Sequence, residues 1–298
     1  LTSCKNVNSH AILNNVTRKH EVELLSNNQF KAKVDKKFNK TELDNVWKKF
    51  MGLNEQQLLI SHVGKVCPPK IINMRQSLTK RMPSNIFNFC RKALILSLPN
   101  KSNLFRWKIT NDSKCILCEN MQTQLHVLSN CCKCLSRYTW RHDSVLNSLL
   151  QQICQVKPKE YIYCDSNKLQ YKNTSQLFLT QRPDVAILDN ENIIVIELTV
   201  CYETNTKKSR EYKMNRYKDL KAQLIDSSKN LRVLFVEFTS LGFISKESYH
   251  PFGKYLKEIK VNHEHAIYKC METINRSYYY IFCRRNKSWT DPDLLDYP

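Results

Sequence analysis

The stretch Arg182-Pro183-Asp184-Val185-Ala186-Ile187-Leu188-Asp189-Asn190-Glu191-Asn192-Ile193-Ile194-Val195-Ile196-Glu197-Leu198-Thr199 decides how this chain folds. Two apolar runs, residues 185–188 and 193–196, flank the polar turn Asp189-Asn190-Glu191-Asn192. β-Branched residues fit a pleated surface, and two such runs around a short polar turn read as an antiparallel hairpin. A hairpin folds its ends back together, so Asp184 and Glu197 are expected to meet at its open end. Two carboxylates so placed are oxygen ligands suited to Mg²⁺ or Mn²⁺.

Downstream, residues 207 to about 228 read as a helix rich in Lys, Arg and Tyr, with Lys213, Tyr217, Leu220 and Leu224 on neighbouring positions of one face. Residues 231–239 form another strand, buried by composition, and Gly242 marks a turn. Two helices, about 255–261 and 263–283, close the chain. Upstream, residues 156–181 are irregular apart from a strand candidate at 176–179. The β-β-β-α-β order places the protein in the α/β (α+β) class, with a small mixed sheet flanked by helices.

The N-terminal part is helical in pattern. Residues 1 to about 40 are a polar, Asn- and Lys-rich lead-in. Leu43, Val46, Trp47 and Phe50 then recur at helical spacing, and residues 55–63 suggest a second short helix. Pro68-Pro69 interrupts the pattern. Met82-Pro83-Ser84-Asn85 opens a helix expected to reach Leu98, where Pro99 stops it, and 103–107 (NLFRW) follows.

Cys115, Cys118, His126 and Cys131 form a Cys-x2-Cys-x7-His-x4-Cys arrangement. Zn²⁺ takes four thiolate or imidazole ligands in a tetrahedron, and a CxxC turn followed by a helical His/Cys pair supplies them. Cys132 and Cys134 compete with Cys131 for the fourth place. Arg137-Tyr138-Thr139-Trp140-Arg141-His142-Asp143 follows. Arg137, Arg141 and His142, with two aromatic neighbours, read as a phosphate-binding and base-stacking ridge.

Charge points the same way. Lys and Arg number 47 against 27 Asp and Glu, a formal net charge of +20 spread along the chain. A polyanionic partner is expected, nucleic acid before membrane. No apolar run approaches the ~20 residues that span a bilayer, and four glycines with no nucleotide-binding Gly pattern argue against a phosphate loop. Thirteen cysteines with no export signal favour a reducing compartment, some of them binding metal. The chain opens on Leu1 rather than Met, so a piece of a longer polypeptide is expected.

Hydrolysis of a phosphodiester needs a cation on the phosphate, an activated water and neutralised charge. Asp184 and Glu197 answer the first need, with the carbonyl of Leu198 as a third ligand. A lysine two residues after the second carboxylate is common in such sites, but that position is Thr199. Lys213 can arrive from the following helix instead, and Arg216 can stand in or contact phosphate. Glu160 and Asp165 are candidates for an upstream acid.

The whole series resembles the C-terminal part of the polyprotein of non-LTR retrotransposons that carry a restriction-like endonuclease. It consists of Leu98-Pro99 with the NLFRW segment, the Cys115/Cys118/His126/Cys131 group, RYTWRHD, Arg182-Pro183-Asp184, Glu197-Leu198-Thr199, and Lys213 with Tyr217. The resemblance covers roughly residues 80–245. It implies a PD-(D/E)xK-type nuclease, with Asp184, Glu197 and Lys213 catalytic and the lysine displaced onto a helix. A zinc knuckle would lie beside it, and Arg137, Arg141, His142, Arg182, Arg216 and Tyr217 would bind nucleic acid. The activity implied is nicking of target DNA to prime reverse transcription of the element's RNA. A nuclear location follows, with no membrane partner, and a homodimer is allowed. The domains would be a lead-in at 1–80 following a polymerase, a knuckle-bearing helical region at 81–150, and the nuclease at 151–298. No Ala-Asp-Asp polymerase motif occurs in the chain. The alternative is a non-catalytic, zinc-stabilised nucleic-acid-binding module of a decayed or domesticated element.

Overall fold

The β-branched runs that predict the hairpin form the centre of a four-stranded sheet. The computed structural model describes residues 40–42, 44–45, 48–49 and 52–293. Its strands are β1 (Ile162–Cys164), β2 (Val185–Asp189), β3 (Asn192–Cys201) and β4 (Asn230–Thr239), paired in that order. β1/β2 and β2/β3 are antiparallel, and β3/β4 is parallel, so the sheet is mixed. Val185 faces Ile196 and Asp189 faces Asn192 across the hairpin, whose turn residue Asn190 has φ 52°. A short polar side chain tolerates that left-handed conformation better than most.

Parallel strands need a crossover, and α6 (Thr206–Arg216) supplies it between β3 and β4. Helices α1 (Asn54–Val66), α2 (Pro69–Arg81), α3 (Ser84–Leu94), α4 (Lys101–Arg106) and α5 (Leu135–Ile153) precede the sheet, and α7 (Lys246–Glu258) and α8 (His263–Cys283) follow it. The period-2 alternation of β3 sends side chains to two cores. Ile194, Ile196 and Leu198 join Val185, Ile187, Leu234 and Val236 in the large core shared with α5, α7 and α8. Ile193 and Val195 join Ala186, Phe178, Tyr217, Leu220 and Leu224 on the opposite face. α8 contributes Ala266, Ile267, Cys270, Met271, Ile274 and Tyr278, all buried at helical spacing, and packs on α2, α3 and α5.

The structure departs from the sequence expectations at several elements. α2 was not foreseen, because Pro68-Pro69 reads as a break; Pro68 is the cap and Pro69 the first helical residue, where a missing N–H costs nothing. α3 ends at Leu94, four residues before Leu98, where Leu96 turns left-handed (φ 51°) and Ser97 N donates to Lys92 O (2.8 Å). The strand candidate at 176–179 is a 3-10 turn, Thr174–Gln176, followed by one isolated bridge from Phe178 to Leu224, and the third antiparallel strand is β1. The helix expected over 207–228 stops at Arg216, then yields to the 3-10 turn Leu220–Gln223. The helix expected at 255–261 runs Lys246–Glu258, started by the Ser245 side chain, which accepts from Ser248 N. Of the helix that Leu43, Val46, Trp47 and Phe50 predict, residues 40–42, 44–45 and 48–49 are described and helical, while those four apolar positions and the lead-in at 1–39 lie outside the described residues. The chain falls into two compact units, Leu1–Gln57 and Leu58–Pro298, and both the Cys115–Cys131 segment and the sheet belong to the second.

Gly242 closes the turn after β4 with φ 77°, and a Cβ there would lie 2.3 Å from Asn275 Nδ2, which donates to Met271 O (2.7 Å). Gly242→Ala is therefore expected to lower stability by about 2–3 kcal/mol. A shift of the urea midpoint at unchanged slope measures it; an unshifted midpoint shows that turn and Asn275 relax freely.

Candidate functional site

The hairpin register places Asp184 beside Glu197. Asp184 N donates to Glu197 Oε2 (3.1 Å), and Leu198 N donates to Asp184 Oδ2 (2.8 Å). Glu197 is only 1% exposed, on the sheet face that α6 covers. Its second oxygen, Oε1, is paired with the Nζ of Lys213. Lys213 thus reaches Glu197 from the helix that follows β3. The structure brings Asp184, Glu197 and Lys213 together.

A further group enters from the other side. His142 Nε2 of α5 lies 3.3 Å from Asp184 Oδ2 and 3.3 Å from Leu198 O. Its Nδ1 lies 3.2 Å from Asp143 Oδ1, and Asp143 Oδ2 accepts from Ser166 Oγ (3.1 Å). Both ring nitrogens face acceptors, so the ring is doubly protonated. Burial opposes that charge, but Asp184 and Asp143 outweigh it and push His142 up to about 10. Burial also works against ionised Asp184; His142, Lys213 and the Leu198 N–H hold it below the usual carboxylate range all the same. Glu197 goes the other way, raised to about 7 by burial and then by the Asp184 charge, against the pull of Lys213.

His142 therefore belongs to the carboxylate cluster, not to a surface ridge. The acid that supports the cluster is Asp143. Asp165 turns its carboxylate to Asn173 Nδ2 (3.2 Å), and Glu160 is exposed on a 3-10 turn. The signal for Asp143 was available, since it is sequence-adjacent to His142, but nothing in one sequence shows which face of α5 meets the hairpin.

The two arginines of the expected ridge are structural. Arg137 is 2% exposed and donates to Arg284 O (3.0 Å) and Lys287 O (2.7 Å), with Trp289 against its guanidinium. Arg141 is 3% exposed and donates to Leu128 O (2.7 Å) and Val200 O (3.0 Å). Trp140 is fully buried. α5 is amphipathic with respect to two packed neighbours rather than to water, so its basic residues point inward. Tyr217 is also buried, with its hydroxyl donating to Arg182 O (3.0 Å). Arg182 and Arg216 alone of the arginine set are exposed.

Cys115, Cys118, His126 and Cys131 present their four ligand atoms within 4.8 Å of one another. Cys118 Sγ is 3.3 Å from His126 Nε2 and 3.7 Å from Cys131 Sγ. The CxxC bends tightly because Glu119, with φ 63°, donates its N–H to Cys115 O (2.8 Å). His126 opens a π-helical turn, His126–Asn130, and Cys131 caps it. An i→i+5 turn brings residues five apart to the same side, which suits His-x4-Cys. Tyr138 Oη holds the turn shut, 3.1 Å from both His126 O and Val127 O and accepting from Cys131 N (3.0 Å). Cys131 is thus the member of the cysteine trio that joins the group; Cys132 is exposed, and Cys134 is buried alongside. Burial lowers the pKa of His126 and raises that of the Cys131 thiol.

No protein-family model matches the chain, and comparison with curated proteins gives no match either.

The raised Glu197 sets a pH signature. Because folding lifts its pKa from 4.5 to about 7, the folded state holds more protons in that window. Its contribution to stability is present below about 4.5 and is lost as pH rises through about 7. Glu197→Gln is thus expected to gain stability relative to the parent across that window, in buffer without added divalent cation, and to hold a constant difference on either side. Parallel denaturation series across pH measure this; a difference that does not change with pH shows Glu197 ionised throughout.

Proposed function

We propose that this chain is a divalent-metal-dependent DNA endonuclease with a restriction-endonuclease-like PD-(D/E)xK core, and that it nicks target DNA for a non-LTR retrotransposon. The convergence of Asp184, Glu197 and Lys213 supports this most directly. Asp184 and Glu197 are oxygen donors of the type Mg²⁺ or Mn²⁺ takes, and burial and then the Asp184 charge push Glu197 up to about 7, a shift that a bound cation would oppose. Held there by Asp184 and Glu197, Mg²⁺ or Mn²⁺ would polarise a phosphate oxygen and acidify a bound water. Lys213 brings a cation to the same carboxylate and can face charge developing on phosphate. His142, held by Asp143, fixes the carboxylate of Asp184 and carries a proton at Nε2. Exposed Arg182 stands one residue from Pro183-Asp184 and can hold a neighbouring phosphate. A target DNA and the element's RNA as partners, and a nuclear location, belong to the same proposal.

The Cys115/Cys118/His126/Cys131 group is proposed as a structural Zn²⁺ site. Three thiols and an imidazole that burial keeps neutral match the preferred ligands, and all four come from chain segments that bend around one point.

In a plasmid-nicking assay with Mg²⁺, Asp184→Asn and Glu197→Gln are expected to abolish nicking. Asp143→Asn, which removes only the support of His142, is expected to lower it by about ten- to a hundredfold. Parental rates in both carboxylate variants would end the nuclease reading. Metal-independent, steeply salt-dependent DNA binding without nicking would leave the non-catalytic module instead.

Purified protein is expected to carry about one zinc per chain, lost in Cys115→Ser and Cys118→Ser and kept in Cys132→Ser, with loss accompanied by unfolding of the segment around residues 110–145. Elemental analysis with limited proteolysis reads both, and zinc retained by Cys118→Ser rules out this ligand set.

A further inference from the structure

The chemistry above uses only the inward side of α6. The inward basic residues are already committed: Arg210 Nη1 pairs with Glu237 Oε2 (2.8 Å), and Lys213 pairs with Glu197. Only Thr206 of the helix is buried. The outward face carries Lys207, Lys208, Tyr212, Met214 and Arg216, all exposed, with Tyr212 at 64%. Lys207 lies 3.9 Å from Glu211, an exposed pair worth little. Lys208 has no ion pair among the described residues.

This face borders a cleft. An opening of ≈ 440 Å³ is lined by Thr199, Asn205, Lys208, Ser209, Tyr212 and Lys213. Lys213 and Thr199 line it, so it borders the carboxylate cluster through the Lys213–Glu197 pair. At the far end of the helix, Gln181 Nε2 donates to Arg216 O (3.1 Å), and Tyr217 Oη donates to Arg182 O (3.0 Å). Those bonds bring exposed Arg182 and Arg216 to one corner beside Asp184. The result is a line of cations from Lys208 to Arg182 passing the site, with one unpaired aromatic ring between.

We propose that the outward face of α6 is the track for the DNA strand entering the carboxylate site, with Lys208 holding a phosphate and Tyr212 stacking on an unpaired base. An exposed lone aromatic residue is ordinary on a protein surface. Here it lies in a cleft lined by Lys208 and Lys213, the latter paired with Glu197, and the occupant that complements both the cations and the ring is a polyanion with flat, apolar faces. Stacking requires a base whose face is free, which a paired base inside a duplex lacks. The preferred ligand is therefore DNA with an unpaired stretch next to the phosphodiester presented to Asp184 and Glu197. This rests on the nuclease reading for what happens at the end of the track, but the track itself is a binding property.

The test is fluorescence anisotropy of the full chain with fluorescein-labelled oligodeoxynucleotides, without added divalent cation. One probe is fully paired and one carries a single-stranded overhang. Tyr212→Ala is expected to weaken binding of the overhang probe by about tenfold and leave the paired probe unchanged, while Tyr212→Phe retains parental binding. Lys208→Ala is expected to weaken both probes and to reduce the slope of log affinity against log salt by about one. Equal loss on both probes in Tyr212→Ala, or none on either, overturns the stacking role; an unchanged salt slope in Lys208→Ala overturns the phosphate contact. Glu197→Gln, scored for nicking and binding side by side, separates the two claims. If the parent fails to nick while the Tyr212 effect persists, the nuclease reading falls and the track stands.

Discussion

A single buried guanidinium joins the Cys3His group of this molecule to its carboxylate cluster. Arg141 donates to Leu128 O in the π-helical turn that carries His126, and to Val200 O in β3, three residues after Glu197. Tyr138 and Tyr278 lie against it at 5.2 Å and 4.4 Å. Removing a charge from water is expensive unless its hydrogen bonds are replaced. Here two backbone carbonyls and two aromatic faces replace part of the lost hydration, while Nε is left without a partner among the described residues, and these contacts tie turn, helix and strand together. With Arg141 so held, the next residue of α5, His142, can reach Asp184 and Leu198 O.

The opposite wall of the site is held differently. α6 buries almost no apolar surface, and its position on the sheet comes from Lys213 on Glu197 and Arg210 on Glu237. These pairs are one helical turn apart and reach β3 and β4, whose parallel register sets Thr199 against Glu237. A helix docked by charge rather than by a hydrophobic stripe follows the ionisation of its partners. The crossover required by the parallel pair therefore also delivers Lys213 to Glu197 of β3. Two unlike supports, a buried packed helix and a charge-docked one, bring groups to the same carboxylates from opposite sides of the sheet.

Much of this was legible along the chain, for physical reasons that differ by residue. The hairpin was readable because β-branched runs around a polar turn have few alternatives. The Cys115/Cys118/His126/Cys131 group was readable because metal-ligand chemistry needs particular residue types at particular spacings, although the choice of Cys131 over Cys132 and Cys134 waited for the π-turn to show which sulfur faces inward. Arg137 and Arg141 were misread as surface residues. Basic residues beside aromatics look alike whether they face phosphate or bury against carbonyls, and the second case here depends on segments that arrive from residues 128, 200, 284 and 287. The segment at 176–179 is apolar like a strand from Leu177 on, yet makes one bridge, since Phe178 turns into the core while Leu179 is exposed.

What the sequence determined by itself is local: where the hairpin strands, its turn and β4 lie, which four side chains suit a metal ion, that Asp184 and Glu197 share an end, and that the chain is strongly basic. Each follows from side-chain period, turn chemistry or ligand type within a short window. Only the tertiary structure decided that Lys213 reaches Glu197, that His142 and Asp143 complete the cluster, that Arg141 ties the knuckle turn to β3, and that the basic residues of α5 face inward while those of α6 divide between sheet and solvent. Those outcomes depend on pairing between segments 13 to about 150 residues apart in the chain. Such contacts are set by the packing of whole elements, which no window of sequence contains.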